Sequence, residues 1–192
     1  MSELPLIAVT DSATCPRPLA EQTERLAKLT KLRPQAVILR AKSLDKAAYR
    51  TLALDVQQSC EAAGIPLILH SDWPLAHELG VKRLHLPLAL LRQLPTCKRA
   101  HFTWLSTSVH SVDEAIEAQA LGATVLIAGH IYTTQCKADL APRGLGFLQT
   151  VCSAISLPVY AIGGIGFDAA QHAELQANGA RGACVMSAYM KL

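Results

Sequence analysis

Val159-Tyr160-Ala161-Ile162-Gly163-Gly164, then Asp168 to Asn178, then Gly179, then Gly182-Ala183-Cys184-Val185, reads as one strand–helix–strand unit. Both apolar runs are short and almost free of polar residues, as strands covered on both faces should be. Asp168 is a plausible N-cap for the intervening helix, and Gly179 falls where a left-handed residue closes a helix end. Two strands joined through a helix by short loops lie parallel, with a right-handed crossover.

The same rhythm extends back to the start of the chain. Further strand candidates are Leu6–Thr10, Ala36–Arg40, Leu67–His70, Arg83–Leu86, Phe102–Ser106 and Thr124–Ala128, which makes eight in all. Helical patterns fall at Leu19–Leu32, Leu44–Ala63, Trp73–Leu79, Ser111–Leu121 and Leu145–Ile155, and Ser111 with Glu114 forms a capping box. Eight repeats predict an α/β fold, a closed (β/α)8 TIM barrel, with an open flavodoxin-like sheet as the alternative. The chain spans 192 residues as a single domain, just below the ~200 usual for this barrel, and ends seven residues after the last strand candidate. The final helix is therefore expected to be short or missing. The segment after Leu86 reads as poor helix because of Pro87 and Pro95.

Composition excludes several classes of function. With 18 basic and 15 acidic residues the net charge is +3, and no basic run marks a nucleic-acid surface. Glu3 and Pro5 stand where a signal peptide needs basic and then apolar residues, and no apolar run is long enough for a membrane span. The six cysteines are scattered without a C-x-x-C pair, the pattern of reduced thiols in a cytoplasmic protein.

In a parallel barrel, chemistry gathers at the C-terminal strand ends. Gly163 and Gly164 follow strand seven and Ser187 follows strand eight, the two loops that commonly hold a phosphate; the bland alternative is a tight turn. Arg40 and Lys42 share one side of strand two, either at the barrel mouth, holding an anion, or as solvated surface cations. The longest polar loop begins Gly129-His130-Ile131-Tyr132-Thr133-Thr134-Gln135-Cys136-Lys137. His130, separated from the strand only by Gly129, can move a proton near neutral pH or serve as a structural histidine. Cys136 has no evident partner base. His70, His85 and His110 end neighbouring strands, but their spacing is not that of metal ligands, and no metal is expected.

Ala8-Val9-Thr10-Asp11, Leu39-Arg40-Ala41-Lys42, Ser108-Val109-His110-Ser111 and Ala161-Ile162-Gly163-Gly164-Ile165 occur in an order that resembles the thiamine phosphate synthase superfamily over nearly the whole chain. Gly129 to Lys137 is similar to its TenI-type thiazole tautomerase branch; synthases usually carry Pro where this chain has His130. The resemblance implies an isomerase that aromatises a carboxythiazole ethyl phosphate tautomer in thiamine biosynthesis. His130 would be its acid/base, Thr134 and Lys137 would bind substrate from the same loop, and Gly163, Gly164 and Ser187 would cradle the phosphate. Arg40 or Lys42 would hold the substrate carboxylate. No cofactor is implied, and the protein would be a homodimer acting on a small molecule. Synthases hold magnesium pyrophosphate with two aspartates, whose positions fall here on Ser71 and Leu90, with Asp72 one residue from the first. The competing readings are a synthase with an altered metal site and a non-catalytic phosphate-binding or regulatory protein.

Overall fold

A computed structural model describes residues 4–11, 32–134 and 140–191. Eight strands, β1 (Leu6–Val9), β2 (Ala36–Leu39), β3 (Leu67–His70), β4 (Arg83–Pro87), β5 (Trp104–Val109), β6 (Val125–Gly129), β7 (Val159–Ile162) and β8 (Gly182–Val185), pair in chain order. Every pairing is parallel, and β1 closes on β8 with Ile7 opposite Cys184. The sheet is thus a closed barrel, and the open-sheet alternative is set aside.

Side-chain parity along each strand divides the core in two. Ile7 and Val9 on β1, Ile38 on β2, Ile68 on β3, Val125 and Ile127 on β6, Tyr160 on β7 and Cys184 on β8 form one cluster, which fills the barrel. Their neighbours Ala8, Val37, Leu39, Leu69, Leu126, Ala161 and Val185 join a second, larger cluster with the helices. Both faces of each strand are buried, which is why the strands read as unbroken apolar runs rather than alternating ones. Across the interior, the rings of Trp104 and Tyr160 meet edge-on at 5.6 Å, and the Tyr160 hydroxyl donates to Gln35 at 2.9 Å.

Around the barrel lie α1 (Lys46–Ala63), α2 (Trp73–Glu78), α3 (Leu88–Gln93), α4 (Thr96–Arg99), α5 (Val112–Ala120), α6 (Gly144–Ala154), α7 (Ala169–Ala177) and α8 (Ser187–Met190). Asp45, Asp72, Ser111 and Asp168 each accept an N–H of their helix's first turn. The helix expected over Leu19–Leu32 lies outside the described residues except at its last position, Leu32.

Two expectations need correction. The stretch after Leu86 contains two short helices, α3 and α4, and Pro87 and Pro95 stand at their N-caps. At that position a proline forfeits no intrahelical bond, so it starts the helix rather than breaking it. The fifth strand is not Phe102–Ser106 but β5, which begins at Trp104 and continues through Ser106, Thr107 and Ser108. Phe102 belongs to the turn after α4, its N–H donating to the Arg99 carbonyl at 3.0 Å. Thr107 and Ser108 look like loop in a sequence, yet Thr107, like Ser106 before it, is fully buried here. The last helix is, as expected, short: α8 has four residues.

Candidate functional site

The inward parity of the strands sets the site. Carried one step past the interior hydrophobics, it brings Arg40 after β2, His70 on β3, His85 on β4, Ser108 on β5 and Gly129 on β6 to the mouth, and all line one cavity of about 720 Å³. Lys42, His130, Thr134, Gly163, Gly164 and Ser187 line the same cavity. Every predicted site residue within the described part of the chain is therefore brought together. Lys137 lies outside the described residues, as does Cys136.

The two cations predicted after β2 differ. Arg40 is neither a free anion-binding group nor a solvated surface cation: its guanidinium pairs with Asp11, itself only 5% exposed. Thr10 ties the two strand ends, its hydroxyl donating to the Arg40 carbonyl and accepting the Arg40 N–H, each at 2.9 Å. Lys42 is exposed on the rim.

On the β3–β5 side the polar groups satisfy one another. His85 Nδ1 is hydrogen-bonded to Ser106 Oγ at 3.0 Å, and His85 Nε2 to Ser108 Oγ at 3.2 Å. His70 Nδ1 is hydrogen-bonded to Ser71 Oγ at 2.7 Å, and the two imidazoles lie 5.2 Å apart. The buried Tyr49 hydroxyl donates to the Leu39 carbonyl at 2.9 Å and accepts the His70 N–H at 3.1 Å. Burial, then the nearby Arg40 and Lys42 charges, push His70 down to about 4. Burial and His70 push His85 down to about 3. Both rings are neutral near pH 7, so the cationic side chains among the described lining residues are Lys42, Lys191 and Arg40, the last paired with Asp11. The Cys184 thiol, at the cavity base, is driven upward by burial and stays protonated.

The β6–β8 side is built from backbone. His130 is 5% exposed, and its imidazole has one hydrogen-bond contact among the described residues, Nε2 to the Leu140 carbonyl at 3.3 Å. Its loop lies directly against the glycines after β7. Gly163 has φ +107° and Gly164 φ +69°. A Cβ on Gly163 would overlap the His130 Cβ and stand 2.8 Å from its Cα, and one on Gly164 would stand 2.5 Å from the Thr133 carbonyl oxygen. Glycine is thus required here twice over, by conformation and by close approach. The arrangement can seat an anionic group against backbone amides while presenting an imidazole a few atoms away.

Comparison with known proteins agrees with the barrel fold. The family model described as thiamine monophosphate synthase matches residues 6–189. The chain belongs to the thiamine monophosphate synthase family. A thiamine-phosphate synthase from Listeria monocytogenes serotype 4a is 37% identical over 153 residues, 76% of this chain and 70% of that protein. One from Desulfitobacterium hafniense is 32% identical over 158 residues, 79% of this chain and 73% of the relative. Among solved structures, thiamine phosphate pyrophosphorylase from Pyrococcus furiosus superposes with a TM-score of 0.81 at 24% identity, covering 98% of this chain and 88% of its own. FabK from Thermotoga maritima shares the fold alone, with a TM-score of 0.71 at 18% identity, covering 98% of this chain and 59% of that one.

Membership of this family raises the question of magnesium, and the residues present do not fit it. Ser71 is hydrogen-bonded to His70, and Leu90 is a half-buried hydrophobic on α3 packed against the core. The Asp72 carboxylate is occupied as the α2 cap, accepting the Leu75 N–H at 2.9 Å. Glu114 is the sole carboxylate among the described cavity-lining residues, and it accepts the His110 N–H at 2.6 Å. No group of three or more metal-binding side chains is formed among the described residues. A hard divalent cation carrying a pyrophosphate wants one or two free carboxylates, and the described residues of the mouth supply none. No helix among the described residues is long and apolar enough to cross a membrane.

Sequence reasoning missed Asp11 as the partner of Arg40, and it missed Glu114 and Lys191 in the cavity wall. Glu114 was legible only as a capping residue. Lys191 lies four residues beyond Ser187 and becomes visible only once α8 is seen to turn it back over the mouth.

Proposed function

We propose that this family member is a thiazole tautomerase, an isomerase that converts the non-aromatic carboxythiazole ethyl phosphate tautomer into the aromatic one. The observation that carries the reading is the placement of His130 in the cavity wall, pressed against Gly163. A proton leaves the ring carbon that bears the carboxylate, and a proton is added at the exocyclic carbon, so the reaction is balanced with no co-reactant. With Nε2–H donating to the Leu140 carbonyl, Nδ1 of His130 is the basic nitrogen. It takes the first proton, and the resulting imidazolium delivers the second. A positioned acid/base contributes about 10²–10⁴-fold, and aromaticity supplies the driving force. The phosphate would sit on Gly163, Gly164 and Ser187, and the carboxylate against Lys42, with Arg40 shaping the wall through Asp11. Thr134 would contact the ring from the His130 loop.

The second reading, a transferase that releases pyrophosphate, is favoured by the names of the relatives. Ser71 and Leu90 count against it, because neither supplies the carboxylate that the reaction calls for at its position. A non-catalytic phosphate binder is the third reading, and it gives His130 nothing to do.

The test is turnover of the non-aromatic phosphate in EDTA, followed by the rise of aromatic ultraviolet absorbance, for the wild type and His130→Asn. Acceleration over buffer that is lost in the variant while phosphate binding is retained supports the tautomerase. A wild type no faster than buffer overturns it.

A further inference from the structure

The long connection from β6 to α6 closes on itself at one side chain. Arg143 stands at the head of α6, and its backbone N–H donates to the His130 carbonyl at 2.9 Å. Its Nε donates to the Gly129 carbonyl at 3.1 Å. The next residue, Gly144, donates its N–H to the Ile131 carbonyl at 3.1 Å. Three consecutive carbonyls, those of Gly129, His130 and Ile131, are thereby held by two consecutive residues. From the other side, the Ile131 and Tyr132 N–H groups donate to the Ile162 and Gly163 carbonyls at 2.9 and 3.0 Å. His130 sits at the centre of a backbone fixed from two directions. All of these bonds run from backbone to backbone except the one made by the Arg143 guanidinium. That group is itself held in place, with Cζ 5.6 Å from the Phe147 ring centroid on the first turn of α6.

We propose that Arg143 is a positioning residue for His130: it sets where the imidazole stands in the cavity through the Gly129 carbonyl, without touching the substrate. The inference rests on the reading of His130 as the acid/base. Arg143 is not among the residues lining the cavity, so its effect has to pass through the loop. Removing the guanidinium frees the carbonyl of the peptide that carries the His130 nitrogen, and the ring moves with that peptide. A shift of about 1 Å in a catalytic group costs about 10²-fold. Lysine can reach the same carbonyl with one donor but lacks the planar fork, so it should restore part of the effect. Methionine keeps the stem and offers no donor.

Arg143→Met and Arg143→Lys are compared with wild type, and Arg92→Gln serves as a charge-deletion control at an exposed ion pair with Glu117. In Arg143→Met, kcat should fall about 10- to 100-fold with KM within about threefold, and Arg143→Lys should fall in between. In ligand-free protein the His130 ring resonances, read by nitrogen-15 NMR, should shift and broaden in Arg143→Met and stay unchanged in Arg92→Gln. If Arg143→Met does not fold, the lysine variant carries the same comparison. Unmoved His130 resonances with kcat retained overturn the proposal. So does a rise in KM at constant kcat, which would place Arg143 on the substrate. The NMR arm needs no turnover, so a wild type without isomerase activity would sink the functional reading while the resonances still decide the clamp.

Discussion

His85 and His130 are each 5% exposed at the mouth of the same barrel, yet their surroundings differ in kind. His85 has both ring nitrogens engaged by serines of β5, and burial holds it neutral at about 3. His130 has a single 3.3 Å contact to a backbone carbonyl among the described residues, and its place is fixed through its main chain. The first is a satisfied core histidine; the second has, among the described residues, one ring nitrogen without a partner. Burial alone does not mark a working histidine. What separates the two is whether the side chain or the backbone carries the hydrogen bonds that hold the residue.

The largest effect should come from His130 itself. His130→Asn should lower kcat by about 10²–10⁴-fold at nearly constant KM, whereas His85→Gln should change kcat far less. Equal losses at the two positions, measured in one steady-state series, would erase the distinction. Gly163→Ala should come next. Its new Cβ would meet the His130 Cα at 2.8 Å in a backbone with φ +107°, so both kcat and thermal stability should fall. Unchanged kinetics in that variant would mean that the two loops are not in register as described.

A smaller effect should appear in the pH dependence of stability. His70 and His85 titrate at about 4 and about 3 in the folded protein, below the usual 6.5 for an unfolded chain. Between those values the unfolded state binds more protons, so stability is full above pH 6.5 and is lost as pH falls toward 4. Urea midpoints at pH 7, 5.5 and 4.5 should decline in the wild type and decline less in a His70→Gln/His85→Gln variant. Equal slopes would assign the acid sensitivity elsewhere. At the bottom of the scale, Arg92→Gln removes a fully exposed pair with Glu117 and should leave the melting temperature unchanged.

Most of the fold was legible because its strands are buried on both faces and so stand out as apolar runs. The residues of β3, β7 and β8 read off the sequence are those found. Legibility failed where local chemistry carries two meanings. Pro87 and Pro95 end helices or begin them, and only the structure shows that α3 and α4 follow. Thr107 and Ser108 look like a loop until their inward and outward partners are known. At the site, His130, Gly163, Gly164 and Ser187 could be placed by counting from strand ends. The Asp11–Arg40 pair could not, since it depends on β1 lying beside β2 with Thr10 bridging their ends. Nor could the clamp around His130, whose donors are Arg143 and Gly144 on one side and whose acceptors are the Ile162 and Gly163 carbonyls on the other.

The measurement that bears most directly on the central claim is a single phosphorus NMR time course. The protein is given the non-aromatic thiazole phosphate, a pyrimidine pyrophosphate donor and magnesium together. Conversion of the thiazole phosphate resonance to that of its aromatic isomer, with the pyrophosphate donor left intact, is the predicted result. Release of free pyrophosphate in step with a coupled monophosphate product would contradict it and make the chain a synthase.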